Sequence, residues 1–138
     1  MIVDTSVMFD ALVPGSLSTA ARMLLTSSLD LRAPDLIAIE IPGALTKAVR
    51  RGVVSAAFAS AAHASTAQVL PILEPTEPLL DRSFALSLEL AHPLYDCIFL
   101  AHAEARATTL VTSDRRFSEK LKGTPYGRSV VHLADWTP

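Results

Sequence analysis

The 138 residues suffice for one hydrophobic core, half of them are apolar, and the single cysteine, Cys97, excludes an internal disulfide. Fourteen acids against 12 bases give a net charge of −2, which excludes an evenly basic protein that grips nucleic acid by bulk charge. The composition predicts a single domain spanning residues 1–138 in a reducing, cytoplasmic setting, and Met1 runs straight into an acid at Asp4 without the apolar leader of an exported chain.

Short β-type runs alternate with helical periods along the chain. Residues 1–4 read as a strand that closes on Asp4, and Asp4-Thr5-Ser6 suits the cap of a following helix. Leu17 to Leu29 reads as a helix, Asp30 to Ala33 as a short strand, and residues 36–51 as a helix that Gly52 stops. On this last helix the three-four spacing puts Glu40 on one face with Ile37, Ile41, Ala44, Leu45 and Ala48. An ionised carboxylate there must be hydrogen-bonded, neutralised or bound to a cation.

No charged residue occurs from Gly52 to Leu73, which raises the question of a membrane span. Polar residues such as Ser60, His63, Thr66 and Gln68 dilute the run, so it reads as an alanine-rich helix from Val54 to Gln68, apt for packing on a neighbour or partner subunit, then a strand from Val69 to Leu73. Glu77 to Ala91 is helical, with Leu79, Leu80, Phe84, Ala85, Leu88 and Ala91 expected on the inner side and His92-Pro93 as terminator. Tyr95 to Ala107 is a further helix with Asp96 in its first turn. Thr108 to Thr112 is a strand, followed by Ser113 and Asp114, a helix over Arg115 to Leu121 and a last strand over Ser129 to Leu133. Five strands separated by helices predict an α/β fold with a mainly parallel sheet covered on both faces.

In such sheets ligands sit at the carboxyl ends of the strands, near a change in strand order. Asp4 and Asp114 lie at the ends of two predicted strands, and Glu40 and Asp96 stand on helices. Asp4, Asp96 and Asp114 each have a structural role open to them, as a cap or a first-turn acid, whereas capping does not explain Glu40 on its apolar stripe. Together they form a candidate site. Two ionised carboxylates about 4 Å apart repel by roughly 4 kcal/mol at an effective dielectric of 20, so four in one pocket call for a cation, and oxygen donors select Mg²⁺ or Mn²⁺. His63, His92, His102 and His132 lack zinc-site spacing, and no phosphate-binding loop or nucleophile elbow can be built from the five glycines.

Taking the four candidate ligands from the 14 acids leaves 10 against 12 bases. The bases gather at Lys47, Arg50 and Arg51 and again at Arg115, Arg116, Lys120 and Lys122. Arg115 and Arg116 directly follow Asp114 and suit phosphate.

MIVDTSV, PDLIAIEIPGALTKAVRRG and YDCIFLAHAEARATTLVTSDRRF, in this order and spacing, resemble the PIN domain, in particular the short VapC-type toxin ribonucleases of bacteria and archaea. The resemblance covers nearly the whole chain. It implies a Rossmann-like three-layer α/β/α sandwich with a central five-stranded sheet, with Asp4, Glu40, Asp96 and Asp114 as catalytic metal ligands for Mg²⁺ or Mn²⁺. Ser6 stands in the place of an accompanying small polar residue, and Thr112 belongs to the Thr-x-Asp ending of the third block. With Arg115 and Arg116 they are the substrate-side candidates. The implied activity is endoribonucleolytic hydrolysis of single-stranded RNA by the toxin of a type II toxin–antitoxin system, with RNA as substrate, a cognate antitoxin as partner and a homodimer as assembly.

The chain departs from the pattern at Pro42-Gly43, since Gly43 stands where family members often carry Asn, and at Phe117, near which some add another acid. Pro42 predicts a helix that begins near Ile39 or kinks, which would displace Glu40. The alternative function is therefore a catalytically weak PIN-like module that binds RNA or protein. A nucleophilic Asp-x-Asp phosphatase is disfavoured, because Ser6 occupies the place of its second acid.

Overall fold

In the computed structural model, which describes residues 1–137, five strands form one fully parallel sheet: β1 (Ile2–Val3), β2 (Arg32–Pro34), β3 (Ile72–Glu74), β4 (Leu110–Thr112) and β5 (Val130–His132). Their order across the sheet is β3-β2-β1-β4-β5. The chain thus winds outward from β1 to β3, then returns beside β1 to build β4 and β5. The reversal falls between β1 and β4, whose register pairs Ile2 with Leu110 and Val3 with Val111.

Seven helices fill the connections: α1 (Thr5–Leu12), α2 (Ser18–Leu25), α3 (Ile37–Arg50), α4 (Ala56–Ser65), α5 (Leu80–Leu90), α6 (Leu94–Ala105) and α7 (Arg115–Leu121). Because strand side chains alternate between faces, neighbouring residues of one strand enter different cores. Ile2, Ala33 and Leu110 join the larger core with Ile37, Ile41 and Leu45 of α3, Leu86 of α5 and Leu100 of α6. Val3 and Val111 enter a smaller one with Val7 and Ala11 of α1, Ala21 and Leu24 of α2, and Leu133. Sheet and two helical layers make the expected three-layer sandwich.

The uncharged stretch from Gly52 to Leu73 resolves into α4, a 3-10 turn at Thr66–Gln68 and the start of β3. Among the described residues no single helix is long and apolar enough to cross a membrane. Strands are shorter than the sequence suggests, and β3 begins at Ile72 instead of Val69. Its place is set by pairing with β2, where Arg32 lies opposite Ile72 and Pro34 opposite Glu74.

Two expectations are corrected. Pro42 does not delay its helix to Ile39, since α3 runs from Ile37 to Arg50 with Pro42 inside. Its ring leaves the Ala38 carbonyl without a helical donor, and Ala38 is exposed, where water can serve that carbonyl. The second concerns α5. Its buried residues are Ser83, Leu86 and Leu90, whereas Leu80, Phe84 and Leu88 are 43%, 59% and 68% exposed. This rotation is compatible with its polar groups: Arg82 makes two 2.9 Å bonds to Glu104 of α6, Tyr126 donates to Glu89, and Ser83 satisfies its buried hydroxyl on the Leu79 carbonyl at 2.6 Å.

Candidate active site

The carboxyl ends of β1 and β4 lie side by side where the strand order reverses, and each delivers an acid that caps the next helix. The Asp4 carboxylate accepts the Val7 amide at 3.1 Å and opens α1. The Asp114 carboxylate accepts the Phe117 amide at 2.9 Å and opens α7. Capping and site membership are therefore compatible, since each carboxylate has acceptor positions to spare.

Two hydroxyls lock these turns together. Ser6 donates to Asp4 at 2.5 Å and accepts the Ser113 amide at 2.8 Å, which ties the first turn of α1 to the end of β4. Thr112 accepts the Asp114 amide at 3.0 Å, with its hydroxyl 3.4 Å from that of Ser6. Thr112 is fully buried, so its hydroxyl orients the acids and has no surface to offer a substrate.

Glu40 arrives from α3, half-buried at the margin of the stripe formed by Ile37, Ile41, Leu45 and Ala48. Thr5 donates a short hydrogen bond to its Oε2. Asp96 stands in the first turn of α6, with His92 Nε2 at 2.8 Å from its Oδ2. His92 is in turn stacked on Phe117, with ring centroids 4.4 Å apart and planes 10° from parallel. A residue read from sequence as a helix terminator thus fixes one of the acids. Thr5 and His92 are the two contributors that sequence reasoning does not find; the i, i+4 spacing of His92 and Asp96 across the helix start is the available signal.

The electrostatics mark the acids as one group. Burial, opposed by the Ser6 and Thr112 hydroxyls and the Val7 amide, holds the Asp4 carboxyl at about 6, with Asp96 adding repulsion. Burial likewise raises Glu40 against the Thr5 bond, again with a repulsive contribution from Asp96. Asp96 is raised by burial, despite the attraction of His92, and also by Asp114. Asp4, Glu40 and Asp96 thus each feel another acid through a poorly solvated space.

As arranged here, no three His, Cys, Asp or Glu side chains among the described residues stand close enough to close a coordination shell by themselves. The donor chemistry still fits a hard divalent cation. Mg²⁺ commonly takes only one or two carboxylates and completes its octahedron with waters and substrate phosphate.

The basic residues divide. Lys120 donates to the Ala91 carbonyl at 2.7 Å, Lys122 pairs with Glu119 at 2.6 Å and Arg115 lies 4.0 Å from Glu119. Arg116 is exposed and forms no ion pair among the described residues. Cys97 is fully buried and burial pushes its thiol up to about 11, so it is unreactive core.

Fold and site define a doubly wound α/β domain with a carboxylate cluster at its topological switch point. Residues 1–122 match the PIN domain family. Ribonuclease VapC3 of Pyrobaculum aerophilum is 30% identical over 123 residues, 88% of this chain and 94% of the relative. Among solved structures, PAE2754 from Pyrobaculum aerophilum superposes with a TM-score of 0.69 at 25% identity, covering 96% of this chain and 90% of the other. A toxin–antitoxin complex from Klebsiella pneumoniae gives 0.67 at 20% identity over 96% of both chains. The chain belongs to the PIN-domain family.

Proposed function

We propose that this PIN-domain protein is a VapC-type toxin ribonuclease that hydrolyses RNA phosphodiesters as an endonuclease with Mg²⁺ or Mn²⁺. The observation that carries the reading is that Asp4 and Asp114 stand side by side at the strand-order reversal with Glu40 and Asp96 beside them, and that among the described residues none of the four pairs with an arginine or lysine. The relative named a ribonuclease supports the substrate class.

In this reading Asp4, Asp96 and Asp114 would be the acids that share the cation, with waters and substrate phosphate completing its shell, and Glu40 would orient the attacking water or hold a second ion. When bound, the cation supplies Lewis-acid stabilisation of the phosphoryl oxygens and acidifies water at neutral pH. The residues of the chain do the positioning. Ser6 and Thr112 keep Asp4 and Asp114 at their turns, Thr5 aims Glu40, and His92 holds Asp96. Arg116, with Arg115 beside it, meets the phosphate. Water attacks phosphorus in line, the P–O3′ bond breaks, and the departing oxygen takes up a proton, leaving a 5′-phosphate and a 3′-hydroxyl.

The proposal extends to a cytoplasmic homodimer held in check by a cognate antitoxin; a toxin–antitoxin complex is among the solved structures that share this fold. The continuity of α3 through Pro42 supports the catalytic reading over a non-catalytic binding module, because Glu40 stays on the helix and reaches Thr5.

The test is cleavage of a mixed, end-labelled RNA pool by purified protein with Mn²⁺ or Mg²⁺, with chelator, and with Asp96→Asn. Metal-dependent cutting by the parent that the variant loses is expected. Equal, negligible cutting by both from folded, antitoxin-free protein would overturn the reading.

A further inference from the structure

A cleft of about 600 Å³ opens beside the acids, and its floor is shared with them: Thr5, Ser6, Ser113 and Asp114 line it. One wall is α1, which contributes Phe9 and Asp10. The other is the C-terminal half of α3, with Lys47 and Arg51 at the rim. Both cations are exposed, and neither forms an ion pair among the described residues. Phe9 is half-buried, packed against the core at its base while lining the cleft.

We propose that this cleft is a subsite for a nucleotide of single-stranded RNA next to the scissile phosphate, with its phosphate on Lys47 and Arg51 and its base against Phe9. The inference rests on the ribonuclease reading and adds which part of the chain grips the substrate beyond the reacting bond.

Three observations favour this occupant. The cleft is continuous with the acid site, so a strand whose phosphodiester lies at Asp114 must send a neighbouring nucleotide along it or away from the protein. Its cations, unpaired among the described residues, stand on α3 and at its C-terminal cap, whereas Asp10 stands on α1. Phosphate is therefore drawn to the α3 wall and repelled from the other. The α1 wall, left to the base, carries an aromatic ring and a carboxylate that accepts from base N–H groups. Stacking on an aromatic face plus unpaired cations is the usual means of gripping an unpaired strand.

The inference also resolves a difficulty of charge. The acids repel RNA until a cation is bound, so retention of the strand needs attractive charge outside the metal-binding cluster. Lys47 and Arg51 supply it on the α3 side, and Arg116 on the α7 side.

The test uses fluorescein-labelled single-stranded RNA 12-mers and full-length protein in chelator, read by anisotropy at several salt concentrations. Lys47→Ala with Arg51→Ala should weaken binding tenfold or more at about 0.1 M salt and lower the slope of log affinity against log salt by about 1 to 1.5. Arg128→Ala, an exposed cation near the start of β4 at the opposite end of the sheet, should change neither. In the metal-loaded parent, an abasic residue beside the cut site should raise KM fivefold or more. With Phe9→Leu, which keeps an apolar side chain at this position, the abasic residue should make no further difference.

Unchanged affinity and salt slope in the double variant, from a parent that cleaves RNA, would overturn the subsite and leave the ribonuclease reading standing. The subsite falls equally if the double variant loses affinity for poly-glutamate but not for RNA, which would make the cleft a peptide site. A parent that neither binds nor cleaves RNA would overturn both.

Discussion

Two groups of acids in this fold have opposite fates. Glu74, at the end of β3, is ringed by bases. It takes Arg32 Nη1 at 2.6 Å, His102 Nε2 at 2.5 Å and Arg106 Nε at 2.9 Å, with a second, short bond to Arg106. Burial pushes its carboxyl up, but the bonds from His102, Arg32 and Arg106 outweigh this and hold it at about 2. Asp4, at the end of β1, has hydroxyls and an amide for partners and is held at about 6. Both acids end strands of one parallel sheet. The chain supplies the counter-charge for Glu74 and withholds it from Asp4. A carboxylate neutralised by its own protein ties elements together, whereas one left short of positive charge is poised for something the protein must acquire.

Asp4→Asn gives the largest expected effect and splits activity from stability. Cleavage should fall about a thousandfold or more, since the proposed ligand to the cation is lost while the cap at α1 survives in Asn. Metal-free stability should move the other way. The sign follows from proton binding: between the unfolded value near 3.8 and the folded value of about 6, the native state binds the extra proton. Stability of the chelated parent should therefore drop by up to about 3 kcal/mol through this residue as pH rises from 4 to 6.5. Asp4→Asn should remove that drop. Urea midpoints of the two proteins at both pH values check it, and parallel pH profiles would break the comparison.

Glu74→Gln should do the reverse, costing about 2–3 kcal/mol at pH 7, because Arg32 and the buried His102 lose their partner. For this acid, lowered in the folded state, stability is present above its unfolded value near 4.5 and lost as pH falls toward 2. RNA cleavage per folded molecule should be unchanged. A variant as stable as the parent, or one that stays folded yet loses activity, would erase the distinction between the two groups.

The distinction is half legible in the sequence. Asp4, Asp96 and Asp114 can be found because each sits at a strand end or helix start, and Glu40 because it interrupts an apolar stripe. The partners cannot. Whether a carboxylate meets Arg106 or Thr5 depends on contacts between residues 32 and 35 positions apart. The buried face of α5 escapes the sequence for the same reason: Leu80, Phe84 and Leu88 form a regular stripe, yet Ser83 and Leu86 face the core, with Arg82 paired to Glu104 of α6, contacts that no local period reports. Pro42 misleads in another way, because the cost of a proline depends on whether its orphaned carbonyl can reach water.

His92→Leu should sharpen the comparison from within the acid site. Among the described residues His92 is the one basic side chain bonded to any of the four acids, and its 2.8 Å contact holds Asp96 in place. Removing an outer partner of a metal-binding carboxylate typically lowers affinity about tenfold or more. Mn²⁺ binding measured by electron paramagnetic resonance should weaken by that factor in His92→Leu and largely recover in His92→Gln, whose amide can still donate. If Leu and Gln bind Mn²⁺ alike, the contact serves only packing against Phe117.

The smallest effect, and the most specific, belongs to Thr5. Its hydroxyl donates to a half-buried Glu40 that burial already pushes toward protonation. A hydrogen bond to an ionised group contributes about 1.5–3 kcal/mol when shielded, and partial exposure of Glu40 reduces that to about 1. Thr5→Val keeps the side-chain volume and removes the donor, so kcat should fall about fivefold. Were Thr5 only a packing residue, that loss would add to the loss from Glu40→Gln. If it acts by aiming the Glu40 carboxylate, the double variant should be no worse than Glu40→Gln alone, because nothing remains to aim. Rates for the four proteins of this cycle decide between the two, and full additivity would place Thr5 outside the site and leave Glu40 to hold its own position on α3.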